Sequence, residues 1–392
     1  MARRVHKRTP FIKYLFRLFV LILVGMFASI VITMNSLKNE SFALPSNGTD
    51  NYTTHWSESL QTIEIRDVSN YSRIVVVGDL HGELSAIQRI LQLSNIVDSN
   101  NDWIARDTIL IQTGDIIDRG PASIDIYYLF LKLRQQCIKY NSLVLNQIGN
   151  HEHLNFINDF RYVDASELRK YGGLTEWKRL LSMQTPVGRF IRNMPMAHIV
   201  GNSLFVHAGI LPAVAKAFGN DIMELNQQFH ESIQKISSNT DNIDPLLYFQ
   251  TLTATEEPLF GLQSPIWTRF FEPAYYDMNM MYTAFQHAAA KYAGKLEELN
   301  ALTQNERINL FLCDMVKEVL EIYNVKRMIT GHNVQTSGEI ESRCDGGLYR
   351  IDVGMAKFYG GNLAALEIHA PTDTVRIVTD PDNPAKSMQV AN

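Results

Sequence analysis

The sequence predicts an α/β protein with a largely parallel sheet covered by helices. Three apolar, β-branched runs each end in a glycine-containing loop, within residues 73–82, 107–115 and 142–152. The segments between them, 83–97 and 123–140, carry apolar residues at helical spacing. Buried strands that alternate with amphipathic helices are typical of β-α-β units, whose strands run parallel.

The pattern continues towards the C-terminus. Two further strands that end in a polar loop are predicted within 203–209 and 327–332, and the stretch 211–326 between the loops is mainly helical by pattern. Three more strands are predicted in "GGLYRIDVG", "NLAALEIHA" and "TVRIVT". Residues from Asp380 onward are polar and contain two prolines, which predicts a frayed end.

The N-terminal region predicts a membrane anchor. A basic arm, 1–13, precedes an apolar segment, 14–34, of about the ~20 residues that cross a bilayer. Because the positive charges lie upstream, we expect a single-pass protein whose body is lumenal or extracellular. A cleaved signal peptide, which would give a secreted protein, and an organelle presequence are the alternatives.

The polar segment 35–72 is predicted to be a stem. It contains four Asn-x-Ser/Thr triplets, which favour a secretory compartment and a glycoprotein. The triplets begin at Asn39, Asn47, Asn51 and Asn70.

Charge and cysteine content argue against nucleic-acid binding, a thiolate zinc site and a disulfide framework. The chain has a formal net charge of −5, and six positive residues with no acid lie in positions 1–17, so the remainder carries −11. An acidic body does not favour nucleic-acid binding. Cys137, Cys313 and Cys344 are widely spaced and odd in number, so we expect core or free thiols and neither a thiolate zinc site nor a disulfide framework.

Each of the five predicted strands is followed by a loop that carries at least one acid, histidine or asparagine. In an open α/β sheet the carboxyl ends of the strands form the ligand-binding edge, so these loops should meet. Oxygen and nitrogen ligands without thiolate suit a pair of Mn, Fe, Zn or Mg ions, and a carboxylate such as Asp115 can bridge two ions. The residues are Asp79, His81, Asp115, Asp118, Arg119, Asn150, His151, His207 and His332.

Three glycine-flanked blocks resemble the signature of the phosphoprotein phosphatase family of metallophosphoesterases. They are "GDLHG" at 78–82, "GDIIDRG" at 114–120 and "GNHE" at 149–152. The segments "NDFRYVD", "LFVHAGILP", "SPIWTRFF" and "CDGGLYRIDVGMAKFYGG" are similar to the Shewanella-like branch of that family.

The resemblance implies the fold and the domain organisation. The expected fold is a calcineurin-like β-sandwich flanked by helices, with a catalytic domain at 73–370, a helical insert at 211–326 and a tail at 371–392. The Ser-Ala-Pro-Asn-Tyr type of segment of the better known serine/threonine phosphatases is missing. Their toxin sensitivity and regulatory-subunit binding are therefore not carried over.

The resemblance also implies a role for each site residue. Asp79, His81 and Asp115 would hold one divalent ion, with Mn favoured. The second ion would be held by Asp115, Asn150, His207 and His332. Arg119 would bind phosphate oxygens, Arg269 would be a second phosphate-binding residue, and His151 with Asp118 would form the acid pair.

The implied activity is hydrolysis of phosphomonoesters in phosphoproteins by direct attack of a hydroxide that bridges the two ions. The choice between phosphoserine or phosphothreonine and phosphotyrosine stays open, with a lean towards serine and threonine, since the Shewanella-like branch includes tyrosine-preferring enzymes. The alternative is a nucleotide or dinucleoside polyphosphate hydrolase, since such enzymes share the three blocks.

Overall fold

A computed structural model describes residues 64–238 and 243–381. These residues form eleven strands and twelve α-helices. The predicted basic arm, membrane anchor and most of the stem lie outside the described residues. Within the part of the chain that is described, none of the helices has the length and hydrophobicity that a membrane span requires.

The first sheet contains the three parallel strands that the sequence predicts. It has the order β11-β10-β2-β3-β4, and β10 runs antiparallel to both of its neighbours. Helices α1 and α2 connect the parallel strands. The bounds are β2 Arg73–Val77, α1 Leu84–Leu93, β3 Thr108–Gln112, α2 Ser123–Cys137, β4 Leu143–Asn146, β10 Ala364–His369 and β11 Thr374–Thr379.

The second sheet has the order β1-β5-β6-β7-β9-β8. Strands β6, β7 and β9 are parallel, and the hairpins β5–β6 and β8–β9 are antiparallel. The bounds are β1 Glu64–Ile65, β5 Ala197–Val200, β6 Ser203–Val206, β7 Arg327–Thr330, β8 Glu341–Arg343 and β9 Leu348–Arg350.

The expectation of one largely parallel sheet is therefore wrong. A strand has two edges, and those of β6 are taken by β5 and β7, so β6 cannot extend the first sheet beyond β4. One continuous hydrophobic core includes residues of both sheets. This arrangement is the mixed α/β fold with two sheets that the resemblance implies.

The remaining helices lie in two groups. Four follow β4, namely α3 Asn150–Phe156, α4 Ala165–Lys170, α5 Leu174–Leu180 and α6 Pro186–Arg192. Six lie between β6 and β7, namely α7 Pro212–Ala217, α8 Ile222–Ser238, α9 Glu257–Phe260, α10 Met278–Lys291, α11 Leu296–Ala301 and α12 Gln304–Tyr323. The second group agrees with the predicted helical character of 211–326. A reciprocal cap between Thr303 and Glu306 begins α12, and Asn324 in the left-handed conformation ends it.

The folded region extends beyond 73–370 at both ends. Strand β1 lies in the predicted stem and pairs with β5, and β11 lies in the predicted tail and pairs with β10 along six residues. Buried side chains of β2 and β3, each stabilising the fold by roughly 1.5–3 kcal/mol, give the loops at the strand ends a rigid base.

A disulfide joins Cys313 on α12 to Cys344 in the turn between β8 and β9. The prediction of three unpaired thiols is wrong for these two residues and right for Cys137, which is free and buried. The partners lie 31 positions apart, and only the packing of the β8–β9 hairpin against α12 brings their Cα atoms within 5.2 Å. Nothing in their spacing marks them as partners.

Candidate active site

The loops after β2, β3, β6 and β7 and the start of α3 meet at one cleft of about 300 Å³. Seven predicted site residues line it, and three lie directly beneath with at most 2 % of their surface exposed. The lining residues are His81, Asp115, Arg119, Asn150, His151, Arg269 and His332. The residues beneath are Asp79, Asp118 and His207.

Two groups of buried side chains have the geometry of metal ligands, and Asp115 belongs to both. The ligand atoms of Asp115, His207 and His332 lie within 4.8 Å of one another, as do those of Asp115, His81 and His151. The Asp115 Oδ2 atom is 3.6 Å from His81 Nε2 and 3.4 Å from His207 Nε2. A carboxylate shared by two groups can bridge a pair of ions.

The hydrogen bonds of two histidines leave a ring nitrogen for a metal. His207 Nδ1 donates to the Thr113 carbonyl at 2.9 Å, and His81 Nδ1 donates to the Ile117 carbonyl at 3.1 Å. Each Nε2 lone pair is then directed into the site, as in metal-ligating histidines. Burial, with the nearby His151, lowers the pKa of His81 to about 3, so this ring is neutral at physiological pH.

The charges of the site also fit cations. Burial, together with the Asp352 and Asp115 carboxylates, raises the pKa of Asp79 well above its usual range. Burial likewise raises the pKa of Asp352 to about 6, and its Oδ2 atom has no hydrogen-bond partner among the described residues. Divalent ions would compensate this concentration of buried carboxylates.

Sequence reasoning missed Asp352, which lines the cleft two residues after β9. It stands at the carboxyl end of a parallel strand, as Asp79 and Asp115 do. The same strand-end rule applied to "RIDVG" would have found it.

His151 and Asp118 form a buried pair. His151 Nδ1 lies 2.7 Å from Asp118 Oδ2, while Asn155 Nδ2 donates to Asp118 Oδ1 at 3.0 Å. Burial alone would lower the pKa of His151, but the Asp115 charge and the Asp118 hydrogen bond outweigh it and raise that pKa. The ring is therefore held in one orientation and retains its proton more firmly than a free histidine does.

Two arginines reach the cleft from different parts of the chain. Arg119 follows Asp118 in the loop after β3, and its guanidinium lies over the Tyr162 ring at 4.1 Å. Arg269 comes from the insert, where its Nη1 donates to Asn333 Oδ1 at 2.8 Å. The tertiary structure thus brings Arg269 to the same cleft as Arg119.

Glu152 received no role from the sequence although it belongs to the block "GNHE". Its fully buried carboxylate accepts hydrogen bonds from the backbone N–H groups of Gly149, Asp115, Ile116 and Ile117, and from the Tyr127 hydroxyl. Backbone donors within a tight loop need an acceptor when water is excluded, and a carboxylate can accept several at once. Glu152 therefore fixes the loop after β3 against the start of α3.

Several site residues have backbone conformations that are rare for side-chain-bearing residues. Asp115, Asp118, Arg119 and His332 have φ values of 56°, 73°, 68° and 66°. Such positions cost of order 1–3 kcal/mol each and cluster at functional sites. Gly149 permits this packing, since a Cβ atom there would lie 2.1 Å from Asp115 Oδ1.

Comparison with known proteins identifies the family. Residues 72–335, more than half of the chain, match the calcineurin-like phosphoesterase family. The chain belongs to this family. All ten predicted site residues lie within the matched region.

The relatives of this calcineurin-like phosphoesterase support the Shewanella-like branch. The chain is 28 % identical over 292 residues to Shewanella-like protein phosphatase 1 of Plasmodium berghei, in an alignment that covers 73 % of this chain and 68 % of the relative. It is 25 % identical to Shewanella-like protein phosphatase 2 of Arabidopsis thaliana, with 78 % and 77 % covered.

Among solved structures, a cold-active protein-tyrosine phosphatase of a psychrophilic Shewanella species superposes with a TM-score of 0.60. The two chains share 17 % sequence identity over 83 % of this chain and 84 % of the other. At that identity the likeness concerns the fold.

Proposed function

We propose that this calcineurin-like phosphoesterase is a metal-dependent phosphoprotein phosphatase. One observation carries the proposal. Two groups of potential ligands that share Asp115, the His151–Asp118 pair and Arg119, for which the described residues offer no ion-pair partner, lie at or beneath a single cleft. The protein phosphatases among its relatives support the same substrate class.

The proposed cofactors are two divalent ions, with Mn favoured. Asp79, His81 and Asp115 would hold one, and Asp115, Asn150, His207 and His332 the other. Bound there, such ions supply the Lewis acidity that activates water and offsets phosphate charge. Asn150 fits the second set because its Oδ1 atom lies 3.0 Å from His207 Nε2.

The side chains of this chain then perform three tasks. Arg119 binds two phosphoryl oxygens, since a guanidinium fork matches that geometry. His151 donates its proton to the oxygen of the leaving alcohol or phenol. Asp118 orients the imidazole through the 2.7 Å hydrogen bond and stabilises its charged form.

The residues that line the cleft influence which leaving group it accommodates. Seven of the residues that line it are apolar or aromatic, namely Leu154, Tyr162, Phe249, Leu262, Trp267, Val334 and Tyr359. An aromatic ring gains more from such walls than the short side chain of phosphoserine does. We therefore extend the proposal to phosphotyrosine, in contrast to the serine/threonine preference favoured by the sequence.

The test is a substrate panel on the full-length protein reconstituted with Mn²⁺. Peptides of identical sequence carrying phosphotyrosine, phosphoserine or phosphothreonine are assayed beside diadenosine tetraphosphate. We expect phosphopeptides to be hydrolysed with the highest kcat/KM, and phosphotyrosine to lead. Faster cleavage of the dinucleotide would instead support the nucleotide hydrolase alternative.

We also propose that residues 14–34 anchor the catalytic domain in a membrane, on the lumenal or extracellular side. The Cys313–Cys344 disulfide supports an oxidising compartment, since disulfides persist there and are rare in the cytosol. Sensitivity of the expressed protein to an endoglycosidase tests this placement, because the stem triplets are modified only in the secretory pathway.

A further inference from the structure

Arg119 is held in an unusual way for an arginine at the edge of a buried site. Within the described ranges no hydrogen-bond partner is found for its buried Nε atom, and no carboxylate forms an ion pair with its guanidinium. Its backbone N–H donates to the Tyr162 carbonyl at 2.9 Å. The side chain therefore keeps its donors and its charge free.

Three aromatic rings lie near the guanidinium instead, and two of them are closer to it than the third. Its central carbon lies 4.1 Å from the centroid of the Tyr162 ring, 4.8 Å from that of Phe358 and 6.0 Å from that of Tyr359. An aromatic face attracts and orients a guanidinium without using its N–H groups. We call Tyr162 and Phe358 the aromatic pair.

The other arginines of the cleft differ in this respect. Arg161 directs Nε and Nη2 at the two oxygens of Asp159, at 2.7 and 2.6 Å, so its fork is occupied. Arg269 donates from Nη1 to Asn333. Arg119 alone among these three offers its whole fork to an anion.

Phe358 occupies a position that the packing of the core does not explain. The residue is 62 % exposed, although a large apolar residue gains nothing from exposure. The short helical turn that carries it, Lys357–Tyr359, is tied to the start of α1 by the 3.2 Å ion pair between Lys357 Nζ and Glu83. The next ring, Tyr359, lies 5.2 Å from His81.

We propose that the aromatic pair positions Arg119 for the phosphoryl group, so that Phe358 and Tyr162 are positioning residues for phosphate binding. This inference rests on the proposed function only in assigning phosphate to Arg119. It predicts that the turn at 357–359 sets phosphate affinity although no side chain of the pair is a metal ligand or an acid in the reaction.

Phe358 is the cleaner of the two positions to change. Tyr162 also contacts the His151 ring at 5.2 Å, so its replacement would disturb the acid pair. Phe358 is exposed, so its variants should fold. Phe358→Leu keeps apolar bulk and removes the aromatic face, whereas Phe358→Trp keeps a face for the cation. Tyr282→Leu, on α10 and also 62 % exposed, is the matched control.

The experiment measures the dissociation constant of inorganic phosphate by calorimetry on the full-length protein reconstituted with Mn²⁺, which requires no turnover. The kcat/KM for p-nitrophenyl phosphate is measured in parallel. We expect Phe358→Leu to weaken phosphate binding roughly three- to tenfold. Phe358→Trp and Tyr282→Leu should stay within about twofold of the unmodified protein.

A double-mutant cycle with Arg119→Ala decides whether the effect acts through Arg119. In the Arg119→Ala background, Phe358→Leu should have no further effect on phosphate binding. An equal loss in both backgrounds, or unchanged binding in Phe358→Leu, overturns the inference. Failure to hydrolyse phosphopeptides would refute the proposed function. The phosphate-binding measurement would still test the role of the aromatic pair.

Discussion

Replacing His151 by asparagine tests the proposed division of roles most directly. The His151 side chain is 9 % exposed, and its Nδ1 atom lies 2.7 Å from the fully buried Asp118 carboxylate. Only the opposite ring nitrogen remains to serve a substrate oxygen. His151→Asn removes that donor and leaves the proposed ligands Asp79, His81 and Asp115 in place.

The expected loss of rate follows from the role of the proton that His151 donates to the leaving group. A positioned acid contributes on the order of 10²–10⁴-fold, or about 2.7–5.4 kcal/mol of the barrier. The contribution grows as the leaving group becomes a poorer one. We expect a loss near the upper limit for phosphotyrosine, whose phenol has a pKa of about 10, and a much smaller loss for p-nitrophenyl phosphate, whose phenol is more acidic.

The assay is a series of aryl phosphates of graded leaving-group pKa, with bound metal measured on the same samples. Asp118→Asn serves as the matched control, since it keeps the imidazole and removes only the group that orients it. The rate loss of Asp118→Asn should be smaller than that of His151→Asn but still measurable. A rate loss in His151→Asn that does not depend on the leaving group, or that accompanies loss of metal, would refute the acid role.

Three further predictions concern metal binding and stability. Asp115→Asn should lose bound metal and turnover together, because this carboxylate belongs to both ligand groups; metal analysis beside the kinetics checks it. Cys313→Ser should lower the free energy of unfolding by roughly 3–4 kcal/mol for a loop of 31 residues. A reducing agent should lower the Tm of the unmodified protein and leave the Tm of Cys313→Ser unchanged. Burial raises the pKa of Glu167 to about 7, so its ionisation disfavours the folded state and stability falls as pH rises from about 4.5 to 7. Glu167→Gln should remove that slope and add roughly 3 kcal/mol at pH 8, measured by urea unfolding at both ends of the range; equal slopes would contradict it.

The sequence determined the chemistry of the site because that chemistry is local. Glycine-bounded loops after buried strands place polar side chains at strand ends, and the blocks around Asp79, Asp115 and Asn150 could be recognised without coordinates. The strands β2, β3 and β4 and the helices between them follow from periodicity for the same reason.

Only the tertiary structure decided the contacts between distant segments. The division of the strands into two sheets depends on which edges of β6 are occupied, and the Cys313–Cys344 bond on how a hairpin packs against α12. The five donors that converge on Glu152 and the placement of Phe358 beside Arg119 also join remote positions. Hydrophobic pattern specifies which residues are buried; which buried or exposed groups become neighbours is set by packing, and packing is a property of the whole chain.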